Sequence, residues 1–326
     1  MISRVAEHCF WMSRYLERAE NTARVLDVNQ TLLLDFHVPT EHQWQPLLII
    51  NGIHDFANSS CAEAVQNHLT WDPDNACSIA SSLAHARENA RTIREVISTE
   101  MWEQINYYHH WIRGPLAHSV YEHDRGEFYS RVRRINELIF GIAEATMAHG
   151  EAWEFLRLGK YLERACQTAR ILDVKYHILL PTSAEINTPI DNAHWIAILK
   201  SCSGYEPFHK QRQGFEQGTA IADFLIFDLI FPRSVRRCLL YCQEASYKIS
   251  GRKRNQAGNE AERLLENLVD WLRLATIDDL VKAGLHESLT RVIDKIHDIG
   301  DAIRRTYFDF DQERIMLSLQ HEQAQA

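Results

Sequence analysis

Tyr15-Leu16-Glu17-Arg18-Ala19-Glu20-Asn21-Thr22-Ala23-Arg24-Val25-Leu26-Asp27-Val28 returns later in the chain as Tyr161-Leu162-Glu163-Arg164-Ala165-Cys166-Gln167-Thr168-Ala169-Arg170-Ile171-Leu172-Asp173-Val174. Only Glu20/Cys166, Asn21/Gln167 and Val25/Ile171 differ, so eleven of fourteen positions are identical. Unrelated amphipathic helices share the spacing of their apolar residues, not the identity of their charged ones. The repeat therefore points to an internal duplication. Around the first copy, Val5, Cys9, Met12, Leu16, Ala19, Ala23 and Leu26 recur at three- and four-residue steps, one stripe of a long amphipathic helix from Val5 to about Phe36.

Outward from the repeat, the pattern stays helical. Pro39 and Pro46 interrupt it, and a short apolar helix is expected at about 47–56. Trp71-Asp72-Pro73-Asp74-Asn75-Ala76 reads as a start signal for a helix running to about Ser98. A helix at about 101–112 ends at Arg113-Gly114-Pro115, and a polar loop leads to another at about 127–148. Weaker echoes follow the second copy: 194–202 for 47–56, Phe231-Pro232-Arg233-Ser234 before a helix to about Ile249 for the Trp71 segment, and 259–275 for 128–148. A last helix, about 285–308, has no clear counterpart. The expected fold is all-α: a multi-helix bundle of two pseudo-equivalent halves, about 1–149 and 150–283. A closing helix at about 284–310 completes a single domain of residues 1–310, and 311–326 form a polar tail.

Composition agrees. The 326 residues include only 13 glycines and 8 prolines, so breakers are scarce. A net charge of −9 and a pI near 6.0 argue against a nucleic-acid binder, which needs clustered cations. Two basic clusters, Arg233/Arg236/Arg237 and Arg252/Lys253/Arg254, are candidates for holding a small anion, against the plainer reading of solvated helix ends. No apolar run is long enough to span a membrane, and the charged N-terminus does not read as a signal peptide. Seven cysteines without CxxC spacing suit buried free thiols in a reducing cytoplasm. The histidines lack HExxH spacing and the paired Glu-x-x-His motifs of a di-iron bundle, so neither a metal nor another cofactor is expected. Phosphate-cradling glycine loops and nucleophile elbows are missing too.

On a helical wheel Glu20, Arg24 and Asp27 share one shoulder of the apolar stripe, with Glu17 further out; Arg18 lies on the other shoulder, near Trp11, Tyr15 and Thr22. The spacing predicts Arg24 clamped between Glu20 and Asp27. The second copy keeps Glu163, Arg164, Arg170 and Asp173, with Cys166 in place of Glu20. Two readings stand. The charges form paired networks between packed helices, or Glu17, Glu163 and the arginines line a polar cavity able to grip an anion or act as a base. Arg87, Arg91 and Arg94 share another face and are candidates for an anion or partner contact, with Glu88 and Glu95 as intrahelical partners of Arg91.

The segments FWMSRYLERAENTARVLDVNQ, SIASSLAHARENARTIREVISTEMWEQIN, LGKYLERACQTARILDVKYH and FPRSVRRCLLYC resemble the bacterial alpha-E family, over roughly residues 1–310. The resemblance implies an all-helical protein whose family motif falls on Tyr15, Glu17, Arg18, Thr22, Arg24 and Asp27 and on Tyr161, Glu163, Arg164, Thr168, Arg170 and Asp173. It also implies a genomic setting beside circularly permuted ATP-grasp proteins that resemble amide ligases, with transglutaminase-like and proteasome-like peptidases as further neighbours. The expectation is an accessory protein that binds an ATP-grasp partner or its substrate in peptide or small-amide metabolism. An enzyme with a polar site between the two Glu-Arg helices and a scaffold that self-associates are the alternatives.

Overall fold

The first copy of the repeat lies in α1 (Ser3–Asp35) and the second in α8 (Glu151–Ile178), and these two helices form the most extensive helix–helix contact in the protein. The structure is a computed structural model and describes residues 3–35, 44–53, 55–178, 189–212, 218–252, 256 and 258–309. Between α1 and α8 come α2 (Gln45–Ile50), α3 (Ala62–Thr70), α4 (Ile79–Thr92), α5 (Thr99–Arg113), α6 (Pro115–His123) and α7 (Arg125–Thr146). After α8 come α9 (Pro189–Ser201), α10 (Tyr205–Gln211), α11 (Gly218–Phe227), α12 (Val235–Ser250), α13 (Glu260–Leu274), α14 (Ile277–Lys282) and α15 (Leu285–Ile303). A π-helical turn, 304–308, follows α15. Among the described residues there is no strand.

The central pair is flanked on both sides. α1 packs against α4 and α7, and α8 packs against α12 and α15. The predicted stripe of α1 is the buried one: Cys9, Met12, Leu16, Ala19, Ala23 and Leu26 are fully enclosed, as are Leu158, Leu162, Ala165 and Ala169 of α8. Small residues let the two backbones approach. A Cβ at Gly159 would collide with the carbonyl oxygen of Phe10 and with Oγ of Ser13, so glycine is required at this crossing. On the outer side, α13 packs on α12 and α15.

Several boundaries differ from the sequence expectation for local reasons. The cap of α4 is Ser78, whose Oγ accepts from the amide of Ser81, because Asp72 and Asn75 are spent on the turns before it. That helix stops at Thr92 and a new one starts after the Ser98 cap, so the expected run to 98 is one helix and a turn. Pro115 opens α6 at its first position, where the missing N–H costs nothing, and the expected polar loop is therefore helical. Pro46 stands at the second position of α2, where its missing N–H is likewise no loss, and that helix ends at Ile50, before Gly52 with φ +76°. Phe36, the tail 311–326, Lys253 and Arg254 lie outside the described residues.

Candidate functional site

The Glu-Arg pairs of the two repeats exchange partners across the α1–α8 crossing. Arg164 donates from Nε and Nη2 to the two carboxylate oxygens of Glu17, at 2.6 and 2.8 Å. Reciprocally, Arg18 donates from Nε and Nη2 to the two oxygens of Glu163, at 2.8 and 3.2 Å. Both are bidentate fork contacts, the strongest geometry available to an ion pair. Each carboxylate also takes a second arginine: Glu163 accepts from Arg14 Nε at 2.8 Å, and Glu17 from Arg233 Nη1 at 3.3 Å. Arg233 further reaches Asn21 Oδ1 at 3.0 Å and Glu20 at 2.8 Å. Arg18 and Arg164 stack their guanidinium groups over the tyrosines of their own repeats, Tyr15 and Tyr161.

Electrostatics follow from this packing. Burial raises the Glu17 carboxyl's pKa, but Arg164 and Arg233 more than offset it, and the value falls below the ordinary carboxylate range. Burial acts the same way on Glu163, where Arg18 and Arg14 prevail and hold it low. Glu20 is likewise desolvated, and Arg233 and Arg24 bring it down to about 2. All three are ionised at neutral pH and engaged by arginine, which leaves none of them poised as a general base.

The expected clamp on Arg24 is only half present. Arg24 is bonded to Glu20, but its second carboxylate is Glu137 of α7 at 3.5 Å. Asp27 pairs instead with Arg133 at 2.9 Å, because α7 packs beside α1 and brings that guanidinium to it. In the second repeat Asp173 meets His286 at 2.7 Å, and Arg170 donates to the carbonyl of Ile50 at 3.2 Å. Cys166 is buried 3.8 Å from His297, and burial raises its thiol pKa. Arg87 and Arg91 share Glu88, Arg87 also reaches Asn106 of α5, and Arg87 and Arg94 lie over Trp102. Arg91 is thus held by Glu88 rather than by Glu95, and these three arginines form a patch of their own at the α4–α5 contact. Arg233 and Arg236 do not form one anion site: Arg233 turns inward to the α1 carboxylates, and Arg236 Nε is buried without a partner among the described residues.

Beside the Glu17 half of the exchange lies a cleft of about 330 Å³ between α1, α7, α8 and the segment before α12. Glu17, Glu20, Asn136, Gly141, Lys160 and Arg164 line it, with Arg233, Phe140, Glu137 and Glu144. A second cleft, also about 330 Å³, lies against α1 and α7 and includes Arg24, Asp27, Arg133, Lys200 and Tyr205. Sequence reasoning passed over Lys160 and Asn136. For Lys160 a signal was present: it stands four residues before Arg164, a like-charge pair that helices avoid. No group of three or more metal-ligating side chains occurs among the described residues.

A family model for a predicted α-helical domain with a conserved ER motif matches residues 1–308. The chain belongs to the Alpha-E family. Its relatives include an uncharacterised protein of Mycobacterium bovis, 23% identical over 335 residues, and an uncharacterised protein of Mycobacterium tuberculosis strain H37Rv, 22% identical over the same length. Both matches cover 93% of this Alpha-E chain and 36% of the relative, so the chain spans about a third of the proteins it resembles. No solved structure matches it. In this Alpha-E chain the ER motif is an interhelical exchange, with each glutamate bound by the other repeat's arginine.

Proposed function

We propose that this Alpha-E chain is an accessory helical protein that binds an ATP-grasp amide ligase, or that ligase's substrate, in peptide or small-amide metabolism. The observation that carries this reading is the reciprocal pairing of Glu17 with Arg164 and of Glu163 with Arg18. The motif that defines the family is used to join two helices, so its chemistry is structural and the protein acts through its surfaces and clefts. The relatives support it as well: they carry the matching region as about a third of a longer chain, as a module working beside other domains would be carried. Peptidases of the transglutaminase-like or proteasome-like kind are further proposed partners. The same exchange, symmetric in donors and acceptors, supports an internal duplication as the origin of the bundle. Seven free thiols, five of them buried, support a cytoplasmic setting, and no described helix is long and apolar enough to cross a membrane.

Gel filtration of the protein with its cognate ATP-grasp protein, together with ligase turnover in its presence and absence, tests the proposal. A stable mixed complex and altered turnover are expected. Separate elution with unchanged turnover overturns it, and elution of this chain alone as a dimer points instead to a self-associating scaffold.

A further inference from the structure

Three residues of the cleft beside Glu17 are not accounted for by helix packing. Asn136 is 1% exposed. Its Nδ2 donates to the carbonyl of Val132 at 3.1 Å, but its Oδ1 is buried without a hydrogen-bond partner among the described residues. A buried acceptor left unpaired costs about 1–3 kcal/mol. Lys160 is half-buried and makes no ion pair among the described residues; its ammonium lies 4.0 Å from the centroid of Phe140. Gly141 sits inside α7, where glycine is less favourable than alanine by about 1 kcal/mol. Yet a Cβ there would meet nothing within 4 Å. Packing does not require that glycine, and the missing side chain leaves the cleft open.

The charges lining the cleft are layered. At its base Lys160, Arg164 and Arg233 face only two carboxylates, Glu17 and Glu20, a cationic excess. At its mouth are Glu137 and Glu144, both exposed. Lys160 reflects the excess: burial, then Arg164, lower its pKa to about 8 although Glu17 and Glu144 act the other way, so an anion arriving beside it would offset the repulsion from Arg164. The volume is at the small end for ligand sites, enough for a compact molecule.

We propose that this cleft binds the carboxylate end of an amino acid or short peptide. Lys160 is the counter-ion of the carboxylate, Asn136 Oδ1 accepts from the ligand's N–H, and Glu137 and Glu144 face its cationic amine. Phosphate offers a negative charge but no N–H donor adjacent to it and no cation for the rim, so the layered polarity favours the amino-acid class. This inference deepens the substrate side of the proposed function. It is measured on the purified protein alone, so its failure leaves partner binding untouched.

Isothermal titration of the full chain with the dipeptide Ala-Ala, its C-terminal amide and inorganic phosphate is the test. Millimolar or tighter binding of Ala-Ala is expected, weakened at least about tenfold by amidation, a difference of about 1.4 kcal/mol. Lys160→Met should weaken it similarly. Gly141→Leu, which projects into the cleft while improving helix propensity, should abolish binding with no loss of thermal stability. No binding of Ala-Ala, equal binding of the amide, binding of phosphate as tight as that of the dipeptide, or full binding by a folded Gly141→Leu variant would each overturn the proposal.

Discussion

Glu163→Gln removes one charge and almost no volume from the centre of the α1–α8 contact. The wild-type carboxylate is 3% exposed and accepts from Arg14 and Arg18 at 2.8, 2.8 and 3.2 Å. The glutamine leaves two guanidinium groups facing each other with no carboxylate between them. Removing one partner of a buried pair costs about 3–5 kcal/mol. Arg14 and Arg18 keep 12% and 15% of their side-chain surface in water, so the lower end applies, about 3 kcal/mol. Urea unfolding followed by far-ultraviolet circular dichroism at pH 7 measures it, provided the m-value is unchanged. Glu137→Gln is the control: that side chain is 62% exposed, and exposed pairs contribute about 1 kcal/mol or less. A Glu163→Gln variant that loses no more stability than Glu137→Gln would show that the buried carboxylate does not hold the α1–α8 contact together.

Acid should weaken the fold in a defined window. Glu17, Glu20 and Glu163 all have depressed folded pKa values, so the stability they contribute is complete above the unfolded value of 4.5 and is lost as pH falls, for Glu20 down to about 2; denaturation midpoints that stay level from pH 5 to pH 2 would contradict this. Lys160 has the opposite sign. Its folded pKa of about 8 lies below 10.5, so its charged form opposes folding below pH 8 and that penalty is relieved between 8 and 10.5. Lys160→Met should therefore melt higher than the wild type at pH 7, with the gap narrowing by pH 10; a variant that melts lower at pH 7 rules the assignment out. Gly159→Ala should destabilise by about 1–3 kcal/mol, because its Cβ meets the Phe10 carbonyl oxygen and Ser13 across the crossing. Gly141→Ala should stabilise by about 1 kcal/mol. Thermal melts check both: a Gly159→Ala variant that melts as high as the wild type would show a looser crossing, and a Gly141→Ala variant that melts lower would show that its Cβ meets a neighbour.

The extent of α1 was readable from the stripe of Cys9, Met12, Leu16, Ala19, Ala23 and Leu26, because helix periodicity is a local property. The repeat also marked the two helices that form the central contact. What the wheel could not show was the partner of each charge. Glu17 and Arg18 are adjacent in sequence, yet each bonds to the other helix, a choice made by the crossing and not by spacing. Asp27 illustrates the same limit, since Arg24 lies within reach at i−3 but Arg133 arrives from α7. Arg233 read as part of a surface cluster with Arg236 and Arg237. The Ser234 cap and the inward turn of the segment before α12 place it on Glu17 and Glu20 instead. Lys160 and Gly141 carried faint signals of a different kind. Each is locally unfavourable for its helix, and such residues become legible only once the cleft they line is seen.

The Glu-Arg motifs join the two repeats to each other. A double-mutant cycle with Glu17→Gln, Arg164→Met and the double variant, read by urea unfolding at pH 7, tests it most directly. The exchange at 2.6 and 2.8 Å predicts a coupling of about 2 kcal/mol or more between these two positions, with the double variant less destabilised than the sum of the single ones. A coupling below about 0.5 kcal/mol, the level of independent sites, would contradict it.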